Sequence, residues 1–199
     1  FFYLDPKDAL SELRNVQQRS ASTSAKLKLV TLSELYFPFI AGEQEVGGIL
    51  RLRPARRQVV LANRALQFNS PPGSILPVSL SEAKGQVPVF YSERVAFLVD
   101  GKTRYPFFLA KEDLDRAFAA IPSSDEQKKP DGATEIPIGL VRVATLDGVV
   151  QQMRSGAVDL SDAMLVPSSQ AAALSTQLRS DRSSLRCRCW TDCGWPLPL

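Results

Sequence analysis

The sequence predicts an α/β fold, more narrowly α+β, built as two pseudo-twofold-related halves, each a small sheet with packed helices. Three observations carry that expectation. Segments with period-two alternation are interleaved with segments whose apolar residues recur at helical spacing. Three local signatures occur twice in the same order. The composition, 44% hydrophobic and 23% charged over 199 residues, is that of an ordinary globular chain able to bury a core without metal or disulfide staples.

The duplication is read from constant offsets. Leu27 to Leu32 followed by Leu35 matches Val141 to Leu146 followed by Val149 at an offset of 114. Phe2-Tyr3-Leu4 before a helix with Asp8 matches Phe107-Phe108-Leu109 before a helix with Asp113 at 105, and Leu52-Arg53-Pro54 matches Leu165-Val166-Pro167 at 113. A strand followed by a capped helix is a common local pattern, but the common order of all three favours two copies of one unit. The offsets differ only across loops, where insertions are tolerated. The expected division is residues 1–70 for the first half, 71–86 for a linker, 87–178 for the second half and 179–199 for a disordered tail. Because the second copy is led by a hairpin, the first is expected to lack about twenty residues ahead of Phe1.

Taken in order, Asp5 followed by Pro6 opens a helix over about 6–18, since proline at the first helical position forfeits no bond. Lys26 to Val30 alternates into a short strand, and Thr31 with Glu34 forms a capping box for a short helix ended by Pro38 and Gly42. A helix opening at Pro54 carries Leu61, Ala62, Ala65, Leu66 and Phe68 on one face. Val87 to Tyr91, Val95 to Val99 and Thr103 to Leu109 read as a three-stranded meander, with Asp100-Gly101 as a hairpin turn. Leu114, Ala117, Phe118 and Ile121 mark an amphipathic helix over 111–121; Ile136 to Ala144 reads as a strand and Thr145 to Met153 as a helix. A last helix follows Pro167.

The composition also excludes chemistry. The chain has no histidine, which removes Ser-His-Asp and Cys-His nucleophilic sites and the commonest acid/base at neutral pH. Cys187, Cys189 and Cys193 lie together in the last thirteen residues, short of a fourth zinc ligand. No cofactor loop is present, since Gly47-Gly48 is too little to cradle a phosphate, and no catalytic, cofactor or metal site is expected. The longest apolar run, Ile136 to Val150, is broken by Arg142 and Asp147 and is too short to span a bilayer.

Two groups remain as candidate binding residues. Phe90, Phe97, Phe107, Phe108 and Phe118 sit on strands and a helix face, where aromatics are mostly core, and one or two can border a hydrophobic groove. Arg51, Arg53, Arg56 and Arg57, with Arg64, form a cationic cluster that reads as a solvated helix face or as a docking surface for anionic headgroups or a partner. It lacks the aromatic interleaving of a nucleic-acid site, and a net charge of +3 does not suit one, so no nucleic-acid partner is expected. Lys111, Glu112, Asp113 and Asp115 open a helix, where carboxylates favour the dipole, and read as capping and solvation.

The order of these segments carries a resemblance. The VPVF segment (Val87 to Phe90), PFFLAKEDLDRA (Pro106 to Ala117), the stretch from Leu146 to Met153 and LVP (Leu165 to Pro167) before a final helix resemble the Tic family, in particular its soluble twenty-two-kilodalton branch. The resemblance covers residues 1 to 178 and implies a component of protein import into chloroplasts, in the intermembrane space of the envelope and peripheral to the inner membrane. It implies non-covalent, chaperone-like binding of unfolded precursor proteins, with outer- and inner-envelope translocon subunits as partners and envelope lipid headgroups as a further docking surface. The alternative is a structural adaptor that bridges the two translocons without touching precursors. Neither role involves an enzyme or a cofactor.

Overall fold

The computed structural model describes residues 2–19, 25–28, 30–32, 52–70, 79–121, 135–156 and 161–177, and it is mixed α/β, as expected. Strand β1 (Phe2–Tyr3) leads into helix α1 (Pro6–Arg19), where Asp5 Oδ1 accepts the Lys7 N–H at 2.7 Å and so supplies the anticipated cap. Strand β2 (Leu52–Arg53) pairs parallel with β1, Phe2 opposite Leu52. The strand expected over Lys26 to Val30 is not formed at the described residues 25–28 and 30. The segment it matches, Arg142–Thr145, has a neighbour to bond; here no strand lies alongside among the described residues, and an isolated strand leaves its backbone groups to water. Leu32 is helical directly after Thr31, and the rest of that short helix lies outside the described residues.

Helix α2 (Arg56–Asn69) begins two residues after Pro54 and packs the expected Leu61, Ala62, Ala65 and Leu66 against the core, but not Phe68. Its buried positions are Gln58, Val59, Ala62 and Ala65, whereas Phe68 is 64% exposed. Val59 and Phe68 are nine residues apart, half a turn out of phase at 100° per residue, so one helix cannot bury both on one side. Of the expected linker, 79–86 is packed: Asn63 bonds both backbone groups of the buried Leu80, at 2.7 and 3.0 Å.

The expected meander is instead a long hairpin with one interrupted arm. Strands β3 (Pro88–Tyr91) and β4 (Phe97–Val99) both pair antiparallel with β5 (Lys102–Phe108), Phe90 opposite Phe108 and Phe97 opposite Arg104. Asp100 and Gly101 have φ of 52° and 72°, the double left-handed turn whose twist suits a two-residue hairpin. Strand β7 (Ala163–Val166) runs parallel to β5 and takes the Tyr105 and Leu109 N–H groups, at 2.8 Å to Asp162 and 3.1 Å to Val166. Odd-numbered residues of β5 therefore bond β7, and even-numbered ones face the opposite edge, which β3 and β4 share end to end. Between them the chain advances seven residues while β5 advances four. The interruption lies opposite Pro106, an even-numbered position with no N–H to offer.

Strand β6 (Arg142–Thr145) completes the sheet against β3 and leads into helix α4 (Leu146–Ser155), capped by Thr145 Oγ1 accepting the Gly148 N–H at 3.0 Å. Helix α3 (Lys111–Ala119) follows β5, and residues 169–177 form helix α5. One core joins Phe90 and Phe108 to Val59, Ala62, Leu114 and Phe118; the opposite side of the sheet joins Val87 and Val89 to Leu52, Leu146 and Val149. Both cores draw on residues before and after 71–86, so the two expected halves share their interior.

Removing the ring of Phe90, which is fully buried, should cost roughly 3–5 kcal/mol, whereas Val60→Ala at a 67% exposed position should change stability by less than about 0.5 kcal/mol. Urea unfolding of Phe90→Ala and Val60→Ala measures both.

Candidate functional site

The alternation of β5 decides which aromatics can be reached. Phe90, Phe108 and Phe118 point into the first core and are at most 8% exposed, so none of them borders a groove. Phe97 packs on the same core, its ring edge-on to Phe108 with centroids 6.1 Å apart. Phe107 lies on the opposite face, half-buried, its ring 5.0 Å from that of Tyr91. Of the five phenylalanines, Phe107 alone lies on that opposite face of the sheet.

That surface continues through residues the sequence reading did not single out. Leu98 is opposite Thr103, Tyr105 opposite Ala163, and Phe107 opposite Leu165; cross-strand partners share a face, so all six lie on one side of the sheet. Leu98 is 77% exposed, Tyr105 52% and Leu165 38%. Towards β6 the same face is covered by Leu52, Leu146 and Val149; over β4, β5 and β7 it is open. The result is an apolar half-sheet with two tyrosines, suited to burying extended apolar side chains. The Asp100-Gly101 turn was the usable signal, because a two-residue hairpin places Leu98 across from Thr103 and hence beside Tyr105.

Arg53, Arg56 and Arg57 each lie beside a carboxylate. Arg53 and Arg56 both reach Glu82 Oε1, at 3.8 and 3.3 Å, and Arg57 Nε lies 2.8 Å from Glu112 Oε1; Arg51 lies outside the described residues. Arg56 and Arg57 stay largely exposed, so these are weak surface pairs.

The carboxylates at the start of α3 are tie points between elements, not a solvated cap. Asp113 and Asp115 are buried. Asp113 accepts the Ser169 N–H at 2.9 Å at the start of α5 and pairs with Arg116. Asp115 takes two 2.8 Å bonds from Lys111 Nζ and one of 3.1 Å from the Ile136 N–H. Glu112 accepts a 2.7 Å bond from Gln58, whose Oε1 in turn accepts the Lys111 N–H at 2.9 Å. Gln58, Glu112, Asp113 and Arg116 line a cavity of about 140 Å³ at the starts of α2, α3 and α5, together with Leu4, Val87 and Leu109. Among the described residues every buried side-chain nitrogen or oxygen has a partner, so the cavity is a matched polar joint.

Among the described residues no three histidine, cysteine or acidic side chains are grouped to hold a metal ion, and no helix is long and apolar enough to cross a membrane. Cys187, Cys189 and Cys193 lie outside the described residues.

Compared with known proteins, the sequence matches the Tic22-like family over residues 2–178. No curated protein matches it. Solved structures that share the fold include two Tic22 proteins. Tic22 from Plasmodium falciparum superposes with a TM-score of 0.56 at 22% identity, covering 90% of this chain and 81% of its own. Tic22 from Anabaena, a protein of protein transport, superposes with a TM-score of 0.57 at 17% identity, covering 99% of this chain and 79% of its own.

Burial alone would raise the Glu112 carboxyl, but the Gln58 hydrogen bond, a backbone hydrogen bond and the Arg57 and Lys111 charges together hold it below the ordinary carboxylate range. A depressed folded-state value stabilises the protein above the unfolded value, about 4.3, and that stabilisation is lost as pH falls through the folded one. Glu112→Gln should therefore lower the melting temperature at pH 7 and flatten its fall between about pH 5 and pH 3, measured by thermal melts across that range.

Proposed function

The chain belongs to the Tic22-like family, and on that premise we propose that it serves protein transport by holding unfolded precursor proteins non-covalently. The observation that carries this reading is the open apolar face of Leu98, Tyr105, Phe107 and Leu165. A contiguous apolar surface left to water is costly unless something covers it, and an extended precursor offers the alternating apolar side chains that such a face buries. The binding needs no bond chemistry. Family membership supports a role in a plastid translocon; the proposed site of action is the intermembrane space of the envelope, peripheral to the inner membrane, with outer- and inner-envelope translocon subunits as the proposed partners. Arg56 and Arg57, exposed despite their carboxylate partners, are the residues through which envelope lipid headgroups would be met.

Suppression of aggregation of a chemically unfolded model protein tests the proposal. The 199-residue chain should suppress it near stoichiometric ratios, and Leu98→Ser combined with Tyr105→Ser should weaken the effect about tenfold while leaving the melting temperature within a few degrees. A chain that leaves the aggregation curve unchanged at all ratios would be an adaptor between translocons rather than a precursor-binding protein.

A further inference from the structure

The register of the sheet sets four side chains of the open face in one row across the strands. Tyr91 is opposite Arg142 on β6, and Phe107 is opposite Leu165 on β7. With Phe90 opposite Phe108, the antiparallel pairing of β3 and β5 puts Tyr91 beside Phe107, and their ring centroids lie 5.0 Å apart. Cross-strand neighbours share a face, so the row runs Arg142, Tyr91, Phe107, Leu165. On one side of it Val87 and Val89 are buried with Leu52, Leu146 and Val149, and on the other Tyr105 and Leu98 stand open. The row is thus the foot of a wall, and a chain lying against that wall crosses the strands.

Arg142 is the charged member of the row, and it is exposed. Its guanidinium donates to the Gly139 carbonyl at 3.3 Å, and among the described residues no carboxylate lies within ion-pair distance of it. Arg53, Arg56, Arg57, Arg104 and Arg116 each have such a carboxylate. One bond to a carbonyl leaves most of the five N–H donors of the planar fork for an incoming acceptor. The apolar face therefore ends, at β6, in an unneutralised cation.

We infer that Arg142 selects what the open face holds: an extended segment of unfolded polypeptide that carries a carboxylate four residues from an apolar side chain. The inference rests on the precursor-binding reading and specifies the substrate of that same face. Three strand spacings of about 4.8 Å put Arg142 about 14 Å from Leu165 along the row. Four residues of an extended chain span about 13 Å at 3.3 Å each, and an even spacing keeps both side chains on one side of it. The pattern that fits is apolar, any, apolar, any, acidic. Its first side chain lies over Leu165 and its second over Phe107 and Tyr91. The carboxylate then meets the Arg142 fork, where a charge-assisted pair is stronger than a neutral hydrogen bond. A lysine at that position meets a like charge, and an acidic residue one position nearer points away from the sheet.

The probes are short labelled peptides titrated into the 199-residue protein and followed by fluorescence anisotropy. Ser-Leu-Ser-Phe-Ser-Glu-Ser should bind about fivefold more tightly than its counterpart with Gln for Glu, and by the same factor more tightly than Ser-Leu-Ser-Phe-Glu-Ser-Ser, in which the carboxylate turns away. Added salt should narrow that gap. Arg142→Gln should abolish it while leaving the Gln peptide within about twofold, and Arg142→Glu should reverse it in favour of a Lys peptide. Both variants alter an exposed position and should leave the melting temperature within a few degrees. Equal affinity for the Glu and Gln peptides, both weakened by Tyr105→Ser, would overturn the role of Arg142 and leave precursor binding standing. A preference for Glu that survives Arg142→Gln would overturn that role as well. Failure of every peptide to bind, in a chain that also leaves the aggregation curve unchanged, would overturn the underlying reading instead.

Discussion

Pro106, in the middle of β5, is the constraint on which the sheet depends. It is buried and lacks the N–H that its neighbours on the even-numbered edge donate, so no strand can pair through it without a gap. The chain answers with the turn at Ser92 to Arg94, closed by the Val95 N–H on the Ser92 carbonyl at 3.1 Å. That turn splits one arm of the hairpin into β3 and β4 and lets β3 run on to meet β6, while the odd-numbered edge stays free of the proline and accepts β7 as a parallel partner. With both edges of β5 in use, its two faces acquire different fates. Phe108 enters the core with Phe90, and Tyr105 and Phe107 turn to the face that stays partly open.

A second layer of constraint is polar. Helices α2, α3 and α5 begin around one cavity, and their unsatisfied N–H groups would be costly there without acceptors. Asp113 bonds the start of α5, Gln58 bonds the start of α3, and Asp115 bonds Ile136, so side chains of α2 and α3 close the joint from within. The geometry explains why Glu112 keeps its charge at lower pH than an ordinary carboxylate although it is partly buried.

The correspondence between the β1–β2 unit and the β5–β7 unit was legible as sequence offsets, because each unit's pairing is set by residues close to it in the chain. The difference between them was not. Lys26 to Val30 alternates as well as Val141 to Thr145 does, yet among the described residues only Arg142–Thr145 forms a strand, since alternation makes a strand possible and a bonded neighbour makes it real. The phenylalanines show the same limit. Phe107 and Phe108 are adjacent and chemically identical, and only their opposite directions along β5 separate a partly buried ring on one face from a fully buried one on the other.

The sequence by itself determined the start of α1 at Pro6, a helix opening at Thr145, the turn at Asp100-Gly101 and the family resemblance, because caps, turns and periodicity act over a few residues. Tertiary structure alone decided that Val59 rather than Phe68 faces the core, that Asp113 and Asp115 bridge elements instead of meeting water, and that Leu98, Tyr105 and Leu165 form the open face. Those outcomes depend on which distant element covers which side. A local pattern says which residues share a face; only the packed chain says whether that face is covered.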